Sequence, residues 1–261
     1  MSKTIPYMIL LLFVAGISGC NKDVVPPASD NIDIQGGDKF SLEFLDAYNL
    51  DIAEPSGLSN ALNSLDLVVV DDHTNRAFII NTKGKTIGTL KYLGDDTEGI
   101  TTDPENLIYW IAEEAESKII KLDSSGNKLA EYKIDINRTS SKKGLEGITY
   151  DALGHVFYIL NEAEPGLLIK WTVSGGILSK KELKFASDYS GIYYDKTDES
   201  LWIVSDQSRK VFHCTKDGNV LQSFDLNFPK AEGIVLNRQT QRLYIVSDSE
   251  HKLYTYKISK L

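Results

Sequence analysis

One short phrase recurs five times along this 261-residue chain and restricts its fold more than any other feature. Asp96-Thr97-Glu98-Gly99-Ile100-Thr101-Thr102-Asp103 is the fullest copy. Glu146-Gly147-Ile148-Thr149-Tyr150-Asp151 and Glu232-Gly233-Ile234-Val235-Leu236-Asn237 repeat it. Ser190-Gly191-Ile192-Tyr193-Tyr194-Asp195 carries Ser in place of Glu, and Glu54-Pro55-Ser56-Gly57-Leu58-Ser59 is a degenerate fifth copy. From the residue before each Gly, the intervals are 42, 48, 44 and 42 residues. A regular period of this length signals a repeat architecture and is read before any local structure.

The order inside each unit is constant. A short Gly-Ile strand and a polar turn precede a strongly apolar strand: Leu67–Val70, Ile108–Ile111, Val156–Ile159, Leu201–Val204 or Leu243–Val246. These runs are rich in β-branched and aromatic residues and do not alternate, as in strands buried on both faces. An acidic turn follows, carrying Asp72, Glu114, Glu162, Asp206 or Asp248, then a third strand, a Gly turn and a fourth strand. Asp in such a turn bonds its own backbone or pairs with a nearby base, and these five acids are read that way. Four antiparallel strands in about 45 residues make a propeller blade.

The expected fold is therefore all-β: a five-bladed β-propeller over residues 39–261. The last unit stops at Leu261 after its third strand, and Phe40–Leu45 is an unassigned strand ahead of the first unit. That strand can complete the last blade and remove a free edge. A six-bladed ring has no segment left for its extra blade, and a β-sandwich does not account for the repeat.

The first 38 residues read differently. Lys3, the apolar run Ile9–Ala15 and Ile17-Ser18-Gly19-Cys20 form a leader at 1–20 whose end resembles a bacterial lipobox. That resemblance implies cleavage before Cys20 and lipid on its thiol, hence a membrane partner. Residues 21–38, with Pro26-Pro27 and Gly36-Gly37, read as a flexible tether. The expected location is the cell envelope, on the periplasmic or surface face of the outer membrane or on the inner membrane. Cys214 would be the one remaining thiol, in an alternating strand, and reads as buried and inert. A net charge of −9 argues against nucleic-acid binding. A monomeric domain is expected.

In a propeller the first strand of each blade lines the axis, where a residue without Cβ allows close approach. Glu98, Glu146 and Glu232 would then crowd one mouth of the channel, Glu54 reaching the same region, with Ser56 and Ser190 filling the other two places. Carboxyls so crowded cannot all ionise unaided. Two readings stand: framework residues bonded to backbone N–H groups of the next blade, or oxygen ligands for a hard ion such as Ca²⁺. Nucleophile, His-metal and phosphate-loop motifs are missing.

Glu54-Pro55-Ser56-Gly57-Leu58, the repeated Glu-Gly-Ile, and Leu67-Val68-Val69-Val70-Asp71-Asp72 with Arg76 resemble the SdiA-regulated family of bacterial propellers, often secreted or membrane-tethered. The resemblance covers residues 39–261 and implies a propeller outside the cytoplasm; it implies no set activity. Three functions are therefore carried forward. One is a module that binds a ligand or partner, with Ca²⁺ at the channel mouth. The second is a metal-assisted hydrolase of phosphoesters or lactones at that mouth, with a Glu as general base. The third is a scaffold using its sides for protein contacts.

Overall fold

The computed structural model describes residues 38–136 and 143–261, which hold twenty strands and no helix. The 1–20 leader, Cys20 and all of the 21–38 tether except Asp38 lie outside the described residues. Strand β1 (Phe40–Asn49) comes first. Blade 1 follows as β2 (Pro55–Asn60), β3 (Leu67–Asp71), β4 (Arg76–Ile80) and β5 (Thr86–Thr89). Blade 2 is β6 (Thr97–Asp103), β7 (Ile108–Glu113), β8 (Lys118–Leu122) and β9 (Lys128–Lys133). Blade 3 is β10 (Leu145–Asp151), β11 (Val156–Asn161), β12 (Leu167–Thr172) and β13 (Gly176–Glu182). Blade 4 is β14 (Gly191–Asp195), β15 (Ser200–Ser205), β16 (Lys210–Thr215) and β17 (Val220–Asp225). Blade 5 is β18 (Ala231–Asn237), β19 (Arg242–Ser247) and β20 (Lys252–Lys260), with β1 as its outer strand.

The expected ring closure is thus present, and β1 is longer than the sequence suggests. It runs antiparallel to β20 from Phe40↔Lys260 to Asn49↔Lys252, with a bulge between Phe44 and Asp46. Its start is clamped to blade 4 as well. Phe40 N–H donates to Gln222 Oε1 (2.9 Å), and Gln222 Nε2 donates to Phe40 O (2.8 Å). The Phe40 ring packs edge-on against Trp202 and His213 and lies under the Arg238 guanidinium, 4.7 Å from its centroid. Arg238 in turn pairs with buried Asp195 and with Asp198.

The core consists of five apolar clusters, one at each blade-to-blade interface. The cluster joining blades 1 and 2 holds Val68, Val70, Ile100 and Ile111; that joining blades 4 and 5 holds Phe40, Trp202, Ile234 and Ile245. This explains the unbroken apolar runs. A second strand has blades packed on both of its faces, so every residue of β3, β7 and β15 is buried. Outer strands such as β5 and β9 alternate between exposed and half-buried positions. Cys214 is fully buried, and burial pushes its thiol pKa up, in keeping with an inert thiol.

The Gly of each first strand has a specific task. A Cβ built on Gly57 would sit 2.5 Å from Glu98 O, one on Gly233 would strike Ser56 O and Leu58 N, and Gly99 and Gly191 meet the backbone of the next first strand likewise. First strands meet backbone to backbone around the axis, with no room for a side chain. The following Leu58, Ile100, Ile148, Ile192 or Ile234 is buried beside that ring. Only about 10 Å³ of open space remains there, so the axis is closed midway.

Candidate functional site

First strands run away from one end of the ring and second strands return to it. That end therefore carries the start of every first strand and every turn between second and third strands. There a cup of about 260 Å³ opens, closed beneath by the Gly ring.

Local backbone geometry aims the acids inward. The register of the first and second strands slips between Pro55 and Leu58, Thr97 and Gly99, Leu145 and Ile148, and Ala231 and Ile234. A bulge re-aims the side chain that it carries, and these bulges hold Ser56, Glu98, Glu146 and Glu232. In β14 the pairing is regular, and Ser190 stands just ahead of it. The turn acids are fixed by a matching set of bonds. The backbone N–H of Asp72, Glu114, Glu162 and Asp248 donates to the carbonyl of Glu54, Asp96, Gly144 and Lys230 respectively. Asp96 and Lys230 hold left-handed φ of 61° and 50° to present that carbonyl.

The six residues expected at the mouth, Glu54, Ser56, Glu98, Glu146, Ser190 and Glu232, all line this cup. So do Asp72, Glu114, Glu162, Asp206 and Asp248, which is a correction: they are turn residues whose carboxyls face the axis. The bases after them pair elsewhere, Lys118 with Glu116, Lys210 with Asp225 and Lys252 with Glu250. Asp188 and Lys230 are charged members of the lining that escaped the sequence reading. Both occupy the place two residues before the repeated Glu or Ser, where Glu54 and Asp96 also stand. Comparing that column across the repeats would have found them.

Among the described residues that line the cup, ten carboxyls thus face one ammonium. Lys230 Nζ lies 3.5 Å from Asp206 and 3.6 Å from Glu232, and these neighbours raise its pKa against the effect of burial. Burial raises the Glu98 carboxyl well above its usual range, with the Asp72 charge adding to it. Burial does the same to Glu146, reinforced by Glu98 and Glu232. Glu232 is pushed to about 7 by burial, opposed by Lys230 and by a bond from Ser190. Asp72 is pushed to about 6 by burial and by Asp96. Burial and crowding of this kind favour the protonated carboxyl, or the uptake of a cation in its place.

Some of the lining is tied down. Ser56 Oγ lies 2.7 Å from Glu98 Oε2 and 2.9 Å from Glu98 O, while Gly144 N–H donates to Glu114. Asp188 accepts from Ser205 Oγ and from Gln207 N–H. Bonds from backbone N–H groups, the kind expected of Glu98, Glu146 and Glu232, are thus seen at Glu114 and Asp188, for which the sequence did not suggest them. Two groups of three acids have oxygens within 4.8 Å of one another: Asp72, Asp96 and Glu98; and Glu98, Glu114 and Glu146. Glu98 belongs to both. Neither Glu54 nor Glu232 joins a group this tight among the described residues.

The fold recurs in proteins of distant sequence. The crystal structure of Myxococcus xanthus glutaminyl cyclase superposes with a TM-score of 0.67 at 10% identity, over 87% of this chain and 100% of that one. A streptogramin B lyase gives 0.50 at 18% identity, over 85% and 72%. Virginiamycin B lyase from Staphylococcus aureus gives 0.50 at 19%, over 80% and 69%. At these identities the likeness is one of fold. The repeated Glu-Gly-Ile strands are more particular, and the model of the SdiA-regulated family matches residues 44–257. This chain belongs to the SdiA-regulated family.

Proposed function

We propose that this propeller is an envelope-located, lipid-anchored binding module whose acidic cup captures a hard cation, Ca²⁺ foremost, or a ligand held through that cation. The observation that carries the reading is the sharing of Glu98 between two carboxylate triads, each with oxygens within 4.8 Å of one another. Ca²⁺ takes oxygen ligands at about 2.3–2.6 Å, so carboxylate oxygens around one ion lie within roughly 5 Å of each other. The donor set has no nitrogen or sulfur, which suits Ca²⁺ or Mg²⁺ better than a softer ion. Burial and mutual repulsion favour the protonated forms of Glu98 and Glu146, with which a cation would compete, so affinity should rise with pH.

Thermal melting with Ca²⁺ tests the reading. At a hundred times Kd a ligand stabilises by about 2.7 kcal/mol, roughly 5–11 °C for a domain of this size. Glu98→Gln takes an oxygen anion from both triads and should remove most of that gain. A wild-type melting curve unmoved by millimolar Ca²⁺ or Mg²⁺ rejects cation capture.

The anchor rests on the Gly19-Cys20 lipobox resemblance. Mass spectrometry of the membrane fraction should find acylated Cys20 at the mature N-terminus, and Cys20→Ser should abolish the modification.

One observation favours a second reading, metal-assisted hydrolysis. Glu232, pushed to about 7, titrates where a general acid–base works best. Turnover of phosphoesters or lactones that needs both Ca²⁺ and Glu232 would establish it; no turnover with the metal bound leaves the binding module.

A further inference from the structure

The outer strands of blades 4 and 5 do not close on one another. Between them lies a cavity of about 580 Å³, more than twice the volume of the cup and sharing no residue with it. Its walls come from Leu42 and Phe44 of β1, Tyr254 and Tyr256 of β20, Phe224 of β17, and Phe228 in the connection to β18.

The sequence places an apolar face here. Phe40-Ser41-Leu42-Glu43-Phe44 alternates apolar and polar, which puts Phe40, Leu42 and Phe44 on one side of β1. Leu42 and Phe44 stand opposite Ile258 and Tyr256. Cover fails along that row. Phe40 is 2% exposed in its clamp, Leu42 is half-buried and Phe44 is 55% exposed. Aromatic rings crowd the place where it fails. Phe228 and Tyr254 lie parallel with centroids 3.6 Å apart, and Phe44 stands edge-on to Tyr256 at 5.8 Å. Ring faces and edges of this kind suit another flat ring as a neighbour.

Two tyrosine hydroxyls reach this region, and the fold uses one of them. Tyr254 donates to the Glu250 carboxylate. Tyr256 is 9% exposed, and its hydroxyl has no hydrogen-bond partner among the described residues. Burial pushes its pKa up to about 12, so it stays a neutral group able to donate one bond and accept another. Asp225, also in the lining, is paired with Lys210 and brings no uncompensated charge. Sites for small molecules span roughly 300–1,000 Å³, are mostly apolar, and hold a few polar groups that fix orientation. This cavity has that character. A sugar, with hydroxyls on every side, asks for more polar partners than Tyr256 and Asn227 provide.

We propose that the cleft between blades 4 and 5 binds a small, neutral, flat ring compound bearing a hydroxyl or carbonyl group. Its ring packs on Phe44, Phe228 and Tyr254, and its oxygen bonds the Tyr256 hydroxyl. The site is independent of cation capture in the cup. Its walls span the joint at which β1 closes the ring, so an occupant braces that joint.

The test titrates the full chain with 2-naphthol and with naphthalene, which lacks the hydroxyl, by saturation-transfer NMR. Comparing variants in one detergent cancels partition of the probes into it. Tyr256→Phe should weaken 2-naphthol about fivefold, the worth of one hydrogen bond, and leave naphthalene unchanged. Phe44→Ala should weaken both. Leu129→Ala, at a comparably exposed side chain on β9, should weaken neither. Tyr256→Phe breaks no hydrogen bond of the fold and Phe44 is half exposed, so both variants fold, which circular dichroism confirms. Binding of neither probe up to its solubility overturns the proposal. So does 2-naphthol affinity that either Phe44→Ala or Tyr256→Phe leaves unchanged. A Phe44→Ala chain that sediments more slowly than wild type, when neither probe binds, shows a second copy seated in the cleft and overturns it as well.

Discussion

Glu232→Gln should stabilise the propeller at pH 8 when divalent cations are absent. The Glu232 side chain is 16% exposed, and its carboxyl is pushed from 4.5 to about 7, first by burial. Below about pH 4.5 the folded and unfolded chains both hold the proton, and burial exacts no electrostatic cost. Between 4.5 and 7 the unfolded chain releases a proton that the folded chain keeps, so stability falls as pH rises. Above 7 the whole cost is present. At about 1.4 kcal/mol per pH unit that interval corresponds to about 3 kcal/mol. The amide keeps the shape of the carboxyl and a partner for Ser190, and carries no charge. Lys230 loses one of its two partners but keeps Asp206, which places the gain at the lower end. For a domain of this size, 3 kcal/mol is roughly 6–12 °C in Tm. Melting both proteins in EDTA from pH 4 to pH 8 should give curves that coincide at the acid end and separate through neutrality, with the variant above. A variant that melts below wild type at pH 8, or a difference independent of pH, would refute the argument that buried, crowded carboxyls strain this fold.

Other outcomes follow from the geometry. Gly191→Ala would drive a Cβ into Glu232 O at the closed axis; overpacking of this kind costs about 1–3 kcal/mol or more, measurable as a lower urea midpoint, whereas Gly176→Ala meets no atom but has a left-handed φ of 68° and should cost less. Phe40→Ala empties the clamp between blades 4 and 5 and should cost about 3–5 kcal/mol, again by urea melting. Gln222→Ala breaks the two bonds to the Phe40 backbone, and about 1–3 kcal/mol is expected for the groups left unpaired.

The blade plan was legible because it leaves a period. Gly at the axis and Ile beneath it answer a steric demand that recurs five times, and repetition separates such a demand from chance. The closing strand was legible by subtraction, since one blade lacked a strand and Phe40–Leu45 had no partner. Its clamp was not, because Gln222 and Arg238 each act once and leave no pattern. The repeated Glu positions were legible as neighbours at one mouth. The second set of acids was equally regular, yet Asp in a turn has a sufficient local explanation. The bonds that turn Asp72 and Asp248 inward run from their N–H groups to carbonyls of Glu54 and Lys230, and carbonyls carry no sequence signal. Asp188 was hidden for a different reason: its blade has Ser190 in place of the Glu, so attention to Glu passed over its neighbour two residues earlier.

The way in which β1 closes the ring also fixes how the protein answers to force. Tension arriving along the chain before Phe40 acts at the Phe40–Lys260 end of the β1–β20 pair. A pull directed away from the sheet peels the ladder from that end one bond at a time, the weaker geometry, whereas a pull along the strands shears all of it at once. The Gln222 bonds, the aromatic pocket and the Arg238 guanidinium stand at the first residue to be peeled. They act as a stop knot: Phe40 must be drawn out of its socket before the load passes to the remaining pairs of the ladder, from Ser41↔Ser259 to Asn49↔Lys252.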